Sequence, residues 1–103
     1  MSKQLDAATI EALVSHGADL AKPRKTIHYF HARNQKSADA LARKLQQDGR
    51  DIDVHDSGDE WAVVVTIVML VGPSSIGQLR TEFVDAAKSA GAQYDGWEAS
   101  LKQ

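Results

Sequence analysis

The run from Trp61 to Val71 constrains the fold more than any other part of the sequence, because Thr66 is its only polar residue. The β-branched residues that dominate it favour strands, and the run is too short to cross a membrane as a helix. Alternate residues of a strand point to opposite faces of a sheet. One face would carry Trp61, Val63, Val65, Ile67, Met69 and Val71, and the other Ala62, Val64, Val68 and Leu70. The sequence therefore predicts a strand over Glu60 to Val71 that is buried on both faces.

Apolar periodicity and turn residues predict six further elements. In chain order these are a helix over about Lys3 to His16, a strand over Lys25 to Ala32, a helix that Asn34 or Ser37 caps and Gly49 ends, a strand over Arg50 to Asp56, a helix from Pro73 to Ala90, and a strand from Gln93 to Leu101. The apolar stripe of the first helix comprises Leu5, Ile10, Leu13 and Val14. The segment from Ala18 to Arg24 is predicted to be a polar connector, because Pro23 disfavours a helix there.

The predicted elements after the first helix follow the order strand, helix, strand, strand, helix, strand. This is the split βαβ order (βαββαβ) of the ferredoxin-like fold, so we expect an α+β two-layer sandwich with an additional N-terminal helix. Right-handed crossovers would place the first and third strands in the centre of an antiparallel sheet and both core helices on one face. We expect a single domain over 1–103, with the helix and connector in 1–24 and the ferredoxin-like core in 25–103.

This arrangement leaves the second apolar face of the strand over Glu60 to Val71 in contact with water unless something covers it. Two alternatives are open. The N-terminal helix covers that face, or another chain does, and a second copy of the protein in a homo-oligomer is one such chain. The strand over Arg50 to Asp56 alternates apolar and charged residues, which suits an edge of the sheet.

The composition limits the partners and the compartment of the protein. Twelve basic and fourteen acidic residues give a formal net charge of -2, which is too balanced to attract nucleic acid or an anionic membrane by long-range charge. The absence of cysteine excludes disulfides and thiolate metal ligands and suits a cytoplasmic protein. The N-terminal segment contains charged residues and no long apolar run, so we expect neither a signal peptide nor a membrane anchor.

No residue pattern in the sequence points to a catalytic centre, a metal site or a cofactor. His28 and His31 are the only closely spaced histidines, and residues three apart on a strand face opposite sides, so they cannot share a metal ion. Ser74 and Ser75 lack the glycines of a nucleophile elbow and are expected to cap a helix. We therefore expect a protein that is not an enzyme.

Five carboxylates cluster around the predicted turn that follows the strand over Arg50 to Asp56. They are Asp51, Asp53, Asp56, Asp59 and Glu60. Their spacing is not that of a calcium-binding loop. We interpret the cluster as a solvated surface that could face a basic segment of a protein partner.

Two other functions remain open from the residues. One is a small ferredoxin-like enzyme or ligand-binding domain with a pocket lined by His28, Tyr29 or His31. The other is an RNA-binding module, which shares this strand order. Such modules carry a basic and aromatic consensus on a central strand, and the strand over Glu60 to Val71 contains no basic residue. Tyr29 and Phe30 point to opposite faces, which also disfavours RNA binding.

The segment Tyr94-Asp95-Gly96-Trp97-Glu98 is the most informative part of the last strand. Asp-Gly accommodates left-handed backbone angles, so it can form a bulge that changes the direction of the flanking aromatic side chains. Tyr94 and Trp97 would then serve either as pillars of the core or as anchors for a partner, with Asp95 beside them.

The sequence resembles the regulator of ribonuclease activity B family of ribonuclease E inhibitors, whose members end in a Tyr-Asp-Gly-Trp segment. That segment stands here as Tyr94 to Trp97, and the similarity extends through Asp19 to Pro23 and through Trp61. The resemblance implies a ferredoxin-like fold and a non-catalytic regulator that binds the endoribonuclease and lowers its cleavage of RNA. Family members known for inhibition are more acidic than this chain.

Overall fold

The computed structural model describes residues 3–100, and side chains from Ala7 onwards. The helices are α1 (Lys3–Ser15), α2 (Gln35–Leu45) and α3 (Pro73–Ser89), and the strands are β1 (Arg24–Ala32), β2 (Arg50–Asp56), β3 (Trp61–Met69) and β4 (Ala92–Ala99). The strands form one antiparallel sheet in the order β2-β3-β1-β4. The predicted α+β class is confirmed, and the first and third strands lie in the centre of the sheet as expected.

The main core lies between one face of the sheet and the helices α2 and α3. It is built from side chains that alternate along the strands and recur at helical spacing along the helices. Its buried members are Phe30, Ala32, Ala38, Leu41, Leu45, Val63, Val65, Phe83, Ala87 and Tyr94. Asn34 begins α2, where its side-chain oxygen accepts a hydrogen bond of 2.8 Å from the backbone N–H of Ser37.

Helix α1 packs against α3 at one end of the helical layer. Its Ile10 and Leu13 are buried with Val71, Ile76 and Trp97 in a second apolar cluster. Val14, which the sequence places near the same apolar stripe, is 54% exposed and does not join this cluster. The predicted stripe residue Leu5 lies outside the described side chains.

The prediction that β3 is buried on both faces is wrong. Val63 and Val65 are fully buried under the helices, whereas Val68, on the opposite face, is 67% exposed. The reason is that α1 packs against α3, with Ile10 and Leu13 beside Ile76 and Trp97, instead of crossing to the second face of the sheet. Leu70 lies beyond the end of β3 and is also exposed.

Arg24 was predicted to lie in a polar connector, but it is the first residue of β1 and is fully buried. Its guanidinium donates hydrogen bonds of 2.9 Å to the carbonyl oxygen of Ser100 and 3.0 Å to that of Asp19. The buried arginine therefore joins the segment before β1 to the segment after β4.

The last strand ends at Ala99, and Leu101, to which it was predicted to extend, lies outside the described residues.

Candidate protein-interaction surface

A β-bulge in the final strand determines which way its aromatic residues point. Tyr94 pairs with Phe30 and Gly96 pairs with Tyr29, so Asp95 is an extra residue without a partner position in β1. Gly96 has a φ of +126°, a backbone angle that residues with a Cβ rarely adopt. In a regular strand, residues three apart would face opposite sides. The bulge instead turns Tyr94 and Trp97 toward the same side.

Both aromatic side chains are core residues of the chain. Tyr94 is 6% exposed and Trp97 is 9% exposed, on the face of the sheet that the helices cover. The ring of Tyr94 lies 4.9 Å from that of Phe30 and 5.5 Å from that of Phe83, measured between centroids. This burial supports the alternative in which both side chains are pillars of the core.

Tyr94 also begins a buried chain of hydrogen bonds that runs across the sheet. The Thr26 hydroxyl donates to the Ile67 carbonyl at 2.9 Å, so its oxygen is left to accept from Nε2–H of His28, also at 2.9 Å. Nδ1 of His28 then accepts from the hydroxyl of Tyr94 at 3.0 Å. The neighbouring groups thus define one neutral tautomer of the imidazole, with its proton on Nε2.

His28 is held in this neutral form by its surroundings. Its side chain is fully buried, with the ring of Phe83 edge-on at a centroid distance of 5.1 Å. Burial disfavours the charged imidazolium and, together with the positive charge of Arg50, lowers the pKa of His28 from 6.5 to about 4. A histidine in this state supports the core and has no access to a substrate.

Replacing Tyr94→Phe should destabilise the protein by about 1–3 kcal/mol, because Nδ1 of the buried His28 would lose its donor. The free energy of unfolding, measured in urea at pH 7, tests this. The matched control is Tyr29→Phe, since the hydroxyl of Tyr29 bonds to the exposed Glu98, and a loss below about 0.5 kcal/mol is expected there. Equal losses in the two variants would show that the buried hydrogen bond to His28 stabilises the protein no more than the exposed bond between Tyr29 and Glu98 does.

The face of the sheet opposite the helices is called the open face here. Its residues alternate with the buried ones along each strand and are Lys25, Ile27, Tyr29 and His31 of β1, Ala62, Val64, Thr66 and Val68 of β3, Asp51, Asp53 and His55 of β2, and Gln93, Asp95 and Glu98 of β4. The central strands supply most of its apolar atoms, and the edge strands supply its carboxylates.

Three polar pairs fix side chains on the open face. The hydroxyl of Tyr29 donates a hydrogen bond of 2.5 Å to Glu98. This hydrogen bond is the largest of three causes that raise the pKa of Tyr29, and the others are burial and the negative charge of Glu98. His31 is paired with Asp95. His55 lies 2.7 Å from Asp53 on β2.

The structure separates the eight residues predicted to bind a partner into three groups. Asp51 and Asp53 lie on edge strand β2, and Asp56, Asp59 and Glu60 lie at or beside the turn that joins β2 to β3; all five are exposed, and we call them the acidic edge. Asp95 is exposed on β4, at the other edge of the sheet. Tyr94 and Trp97 face the core.

The residues proposed to line a ligand pocket do not come together. His28 faces the core, whereas Tyr29 and His31 face the open side, as the alternation along the strand predicted. A cavity of about 650 Å³ lies between α1 and α3 and is lined by residues that include Ala7, Ile10, Pro73 and Gln78, with no histidine or carboxylate among the lining side chains that the structure describes. Among the side chains described from Ala7 to Ser100, no group of three or more histidines and carboxylates is placed to hold a metal ion.

Two polar features were not predicted from the sequence. They are the burial of Arg24 and the hydrogen bond between Tyr29 and Glu98. Extending the alternation of β1 backwards from Phe30 through His28 and Thr26 would have placed Arg24 on the buried face. The pairing of Tyr29 with Glu98 depends on the register between β1 and β4, which the bulge shifts, so no pattern within one strand could have revealed it.

The fold and the site define a small α+β protein with helices on one face of its sheet and an open, carboxylate-flanked opposite face. The family model for regulator of ribonuclease activity B (RraB) matches residues 3–99, and the chain belongs to this family. No curated protein sequence matches the chain. None of the described helices has the length and apolar character needed to span a membrane.

Proposed function

We propose that the protein is a non-catalytic, cytoplasmic regulator that binds a ribonuclease E-like endoribonuclease and lowers its cleavage of RNA, and so modulates RNA decay. The family match over residues 3–99 carries this proposal, because the family is one of regulators of ribonuclease activity. The strand order β2-β3-β1-β4, with two helices on one face, supports assigning the ferredoxin-like split βαβ arrangement to the core.

The environment of the histidines supports a non-catalytic role. His28, whose pKa is lowered to about 4, has both ring nitrogens engaged inside the core. His31 and His55 are each paired with an aspartate on the exposed side of the sheet. A general base must be able to reach a bound substrate, and the buried histidine has no such access.

The distribution of charge disfavours the RNA-binding alternative. RNA-binding sheets present aromatic rings to bases beside basic residues. The open face here presents Tyr29 with its hydroxyl bound to Glu98, and Asp51 and Asp53 flank the same face from β2. Carboxylates at these positions repel a phosphate backbone.

The acidic edge is the proposed region of first encounter with a basic segment of the ribonuclease. Complementary charge at the rim of an interface raises the association rate more than it lowers the dissociation rate. The five carboxylates are exposed together along one edge strand and its turn, so they present one sign of charge in that direction.

Purified protein mixed with ribonuclease E and a labelled RNA tests the proposal directly. We expect slower cleavage as the protein is titrated in, and a saturable complex by calorimetry between the protein and the ribonuclease without RNA. Unchanged cleavage together with no heat of binding would overturn the proposed partner. Slower cleavage without a protein complex would point instead to sequestration of the RNA.

Reversing two charges of the acidic edge, in Asp59→Lys with Glu60→Lys, should slow association with the ribonuclease about tenfold at low salt, and the difference should shrink as salt is added. Stopped-flow or surface-based kinetics would measure the rates. The control is Asp39→Lys with Asp85→Lys, which makes the same change in net charge on α2 and α3. An equal slowing by the control pair would show that net charge alone matters.

A further inference from the structure

The open face is the side of the sheet opposite the three helices. All three helices pack together on the other side, so nothing within residues 3–100 covers the outward side chains of the central strands. Tyr29 and Val68 are exposed there, and Ile27 and Val64 are half-buried beside them. Together these side chains form an apolar strip along the middle of the sheet.

Carboxylates flank this apolar strip on both sides. Through the strand register, Asp51, Thr66, Ile27 and Glu98 form one row across the sheet, and Asp53, Val64, Tyr29 and Gly96 form the next. The bulge adds Asp95 on the side of β4. Neighbouring strands are about 4.8 Å apart, so the acidic residues of β2 and β4 stand about 14 Å apart across the strip.

The spacing of about 14 Å between the acidic residues of β2 and β4 fits an α-helix, which is about 10–12 Å in diameter with its side chains. An amphipathic helix would place its apolar stripe on Ile27, Val64 and Val68. Lysine or arginine residues on its two flanks would reach the carboxylates at both edges. Lys25 pairs with Val68, in the row next to the one that contains Asp51 and Glu98. Its positive charge therefore does not lie between these two carboxylates.

From this geometry we infer that the open face binds an amphipathic helix that carries basic residues on both sides of its apolar stripe. The inference rests on the proposed function, since it names the surface and the kind of segment through which the ribonuclease would be bound. A second copy of the chain does not fit, because acidic flanks would meet acidic flanks. A nucleic acid does not fit for the same reason of charge.

The probe is a synthetic peptide of about 18 residues with leucines at helical spacing and lysine or arginine on both flanks of the leucine stripe. Calorimetry with the full chain measures affinity, and amide chemical shifts locate the peptide. We expect saturable binding, with shifts concentrated in β1 and β3. A peptide of the same composition whose leucines are scattered around the helix should bind at least about tenfold more weakly.

One variant tests the acidic flank on β2, and a second tests the apolar strip. Asp51→Lys with Asp53→Lys should weaken peptide binding about tenfold, and Val68→Lys, at a side chain exposed in the free protein, should weaken it about fivefold. The control pair Asp39→Lys with Asp85→Lys changes net charge equally and should change affinity less than twofold. Circular dichroism of each variant checks that it is folded.

The inference would be overturned if the peptide does not bind at concentrations up to 1 mM, or if the scattered peptide binds equally well. It would also be overturned if the control pair weakens peptide binding as much as Asp51→Lys with Asp53→Lys, or if the chemical-shift changes are confined to the helices. Binding of an RNA oligonucleotide or of a second copy to the same face would contradict it as well.

Experiments with the ribonuclease itself distinguish this inference from the proposed function. If it binds but is insensitive to the variants at Asp51, Asp53 and Val68, only the surface is wrong. If the peptide binds as expected and the ribonuclease does not, only the partner is wrong.

Discussion

Lowering the pH from 7 to 4 should reduce the free energy of unfolding by about 3 kcal/mol through His28 alone. In the unfolded chain this histidine takes up a proton near pH 6.5, whereas in the folded protein its pKa is about 4. Between these values the unfolded state binds more protons, so stability is full above pH 6.5 and is lost as the pH falls toward 4. Each unit of pKa difference corresponds to about 1.4 kcal/mol.

Urea denaturation at several pH values, for the wild type and for His28→Gln, isolates this contribution. The glutamine does not titrate, so the variant should lose the part of the pH dependence that lies between pH 6.5 and 4, whatever its stability at pH 7. A slope in His28→Gln equal to that of the wild type would contradict the assignment. The ring resonances of His28 should also stay those of a neutral imidazole down to about pH 5.

Replacing Gly96→Val should destabilise the protein by about 2–3 kcal/mol. Gly96 has a φ of +126°, and a β-branched residue adopts such an angle only with strain. The strain exists only because Asp95 and Gly96 together oppose the single residue Tyr29. Deleting Asp95 should therefore convert the bulge into a regular strand in which Tyr94 and Trp97 still face the core.

The bulge can thus be tested by a double-mutant cycle measured by urea denaturation. In the background without Asp95, the residue at 96 should have an ordinary strand angle, where valine is favoured, so most of the cost of Gly96→Val should disappear. Asp95→Asn, which keeps the extra residue, is the control and should leave the cost of the valine unchanged. If the valine costs as much without Asp95 as with it, the strain does not come from the bulge.

The elements with strong periodicity were predictable from the sequence. Helix α3 repeats apolar residues at helical spacing from Ile76 to Ala90, and β2 alternates charged with apolar residues as an edge strand does. Both predictions are confirmed. The order of these elements, combined with right-handed crossovers, was enough to place β1 and β3 in the centre of the sheet.

Whether the chain itself would cover the second apolar face of β3 was not predictable. Apolar residues alternate along a strand in the same way whether their own chain buries them or a partner contacts them. Val64 and Val68 illustrate this, since burial on both faces of β3 was expected and the second face is open. The direction of Trp97 depended on whether Asp-Gly forms a bulge, which the sequence permits without requiring. The role of Arg24 was missed because a buried arginine is rare unless it is paired.

The guanidinium of Arg24 has a consequence for the connectivity of the protein. It holds the carbonyl oxygens of Asp19 and Ser100 at the same time, so the chain enters and leaves the sheet at one place. The start of β1 and the end of β4 therefore lie side by side on neighbouring strands. A circularly permuted chain that joins residue 100 to residue 19, omits α1 and opens at the exposed Gly58 would keep every strand pairing of the native sheet, but it would lose Ile10 and Leu13 from the apolar cluster around Trp97.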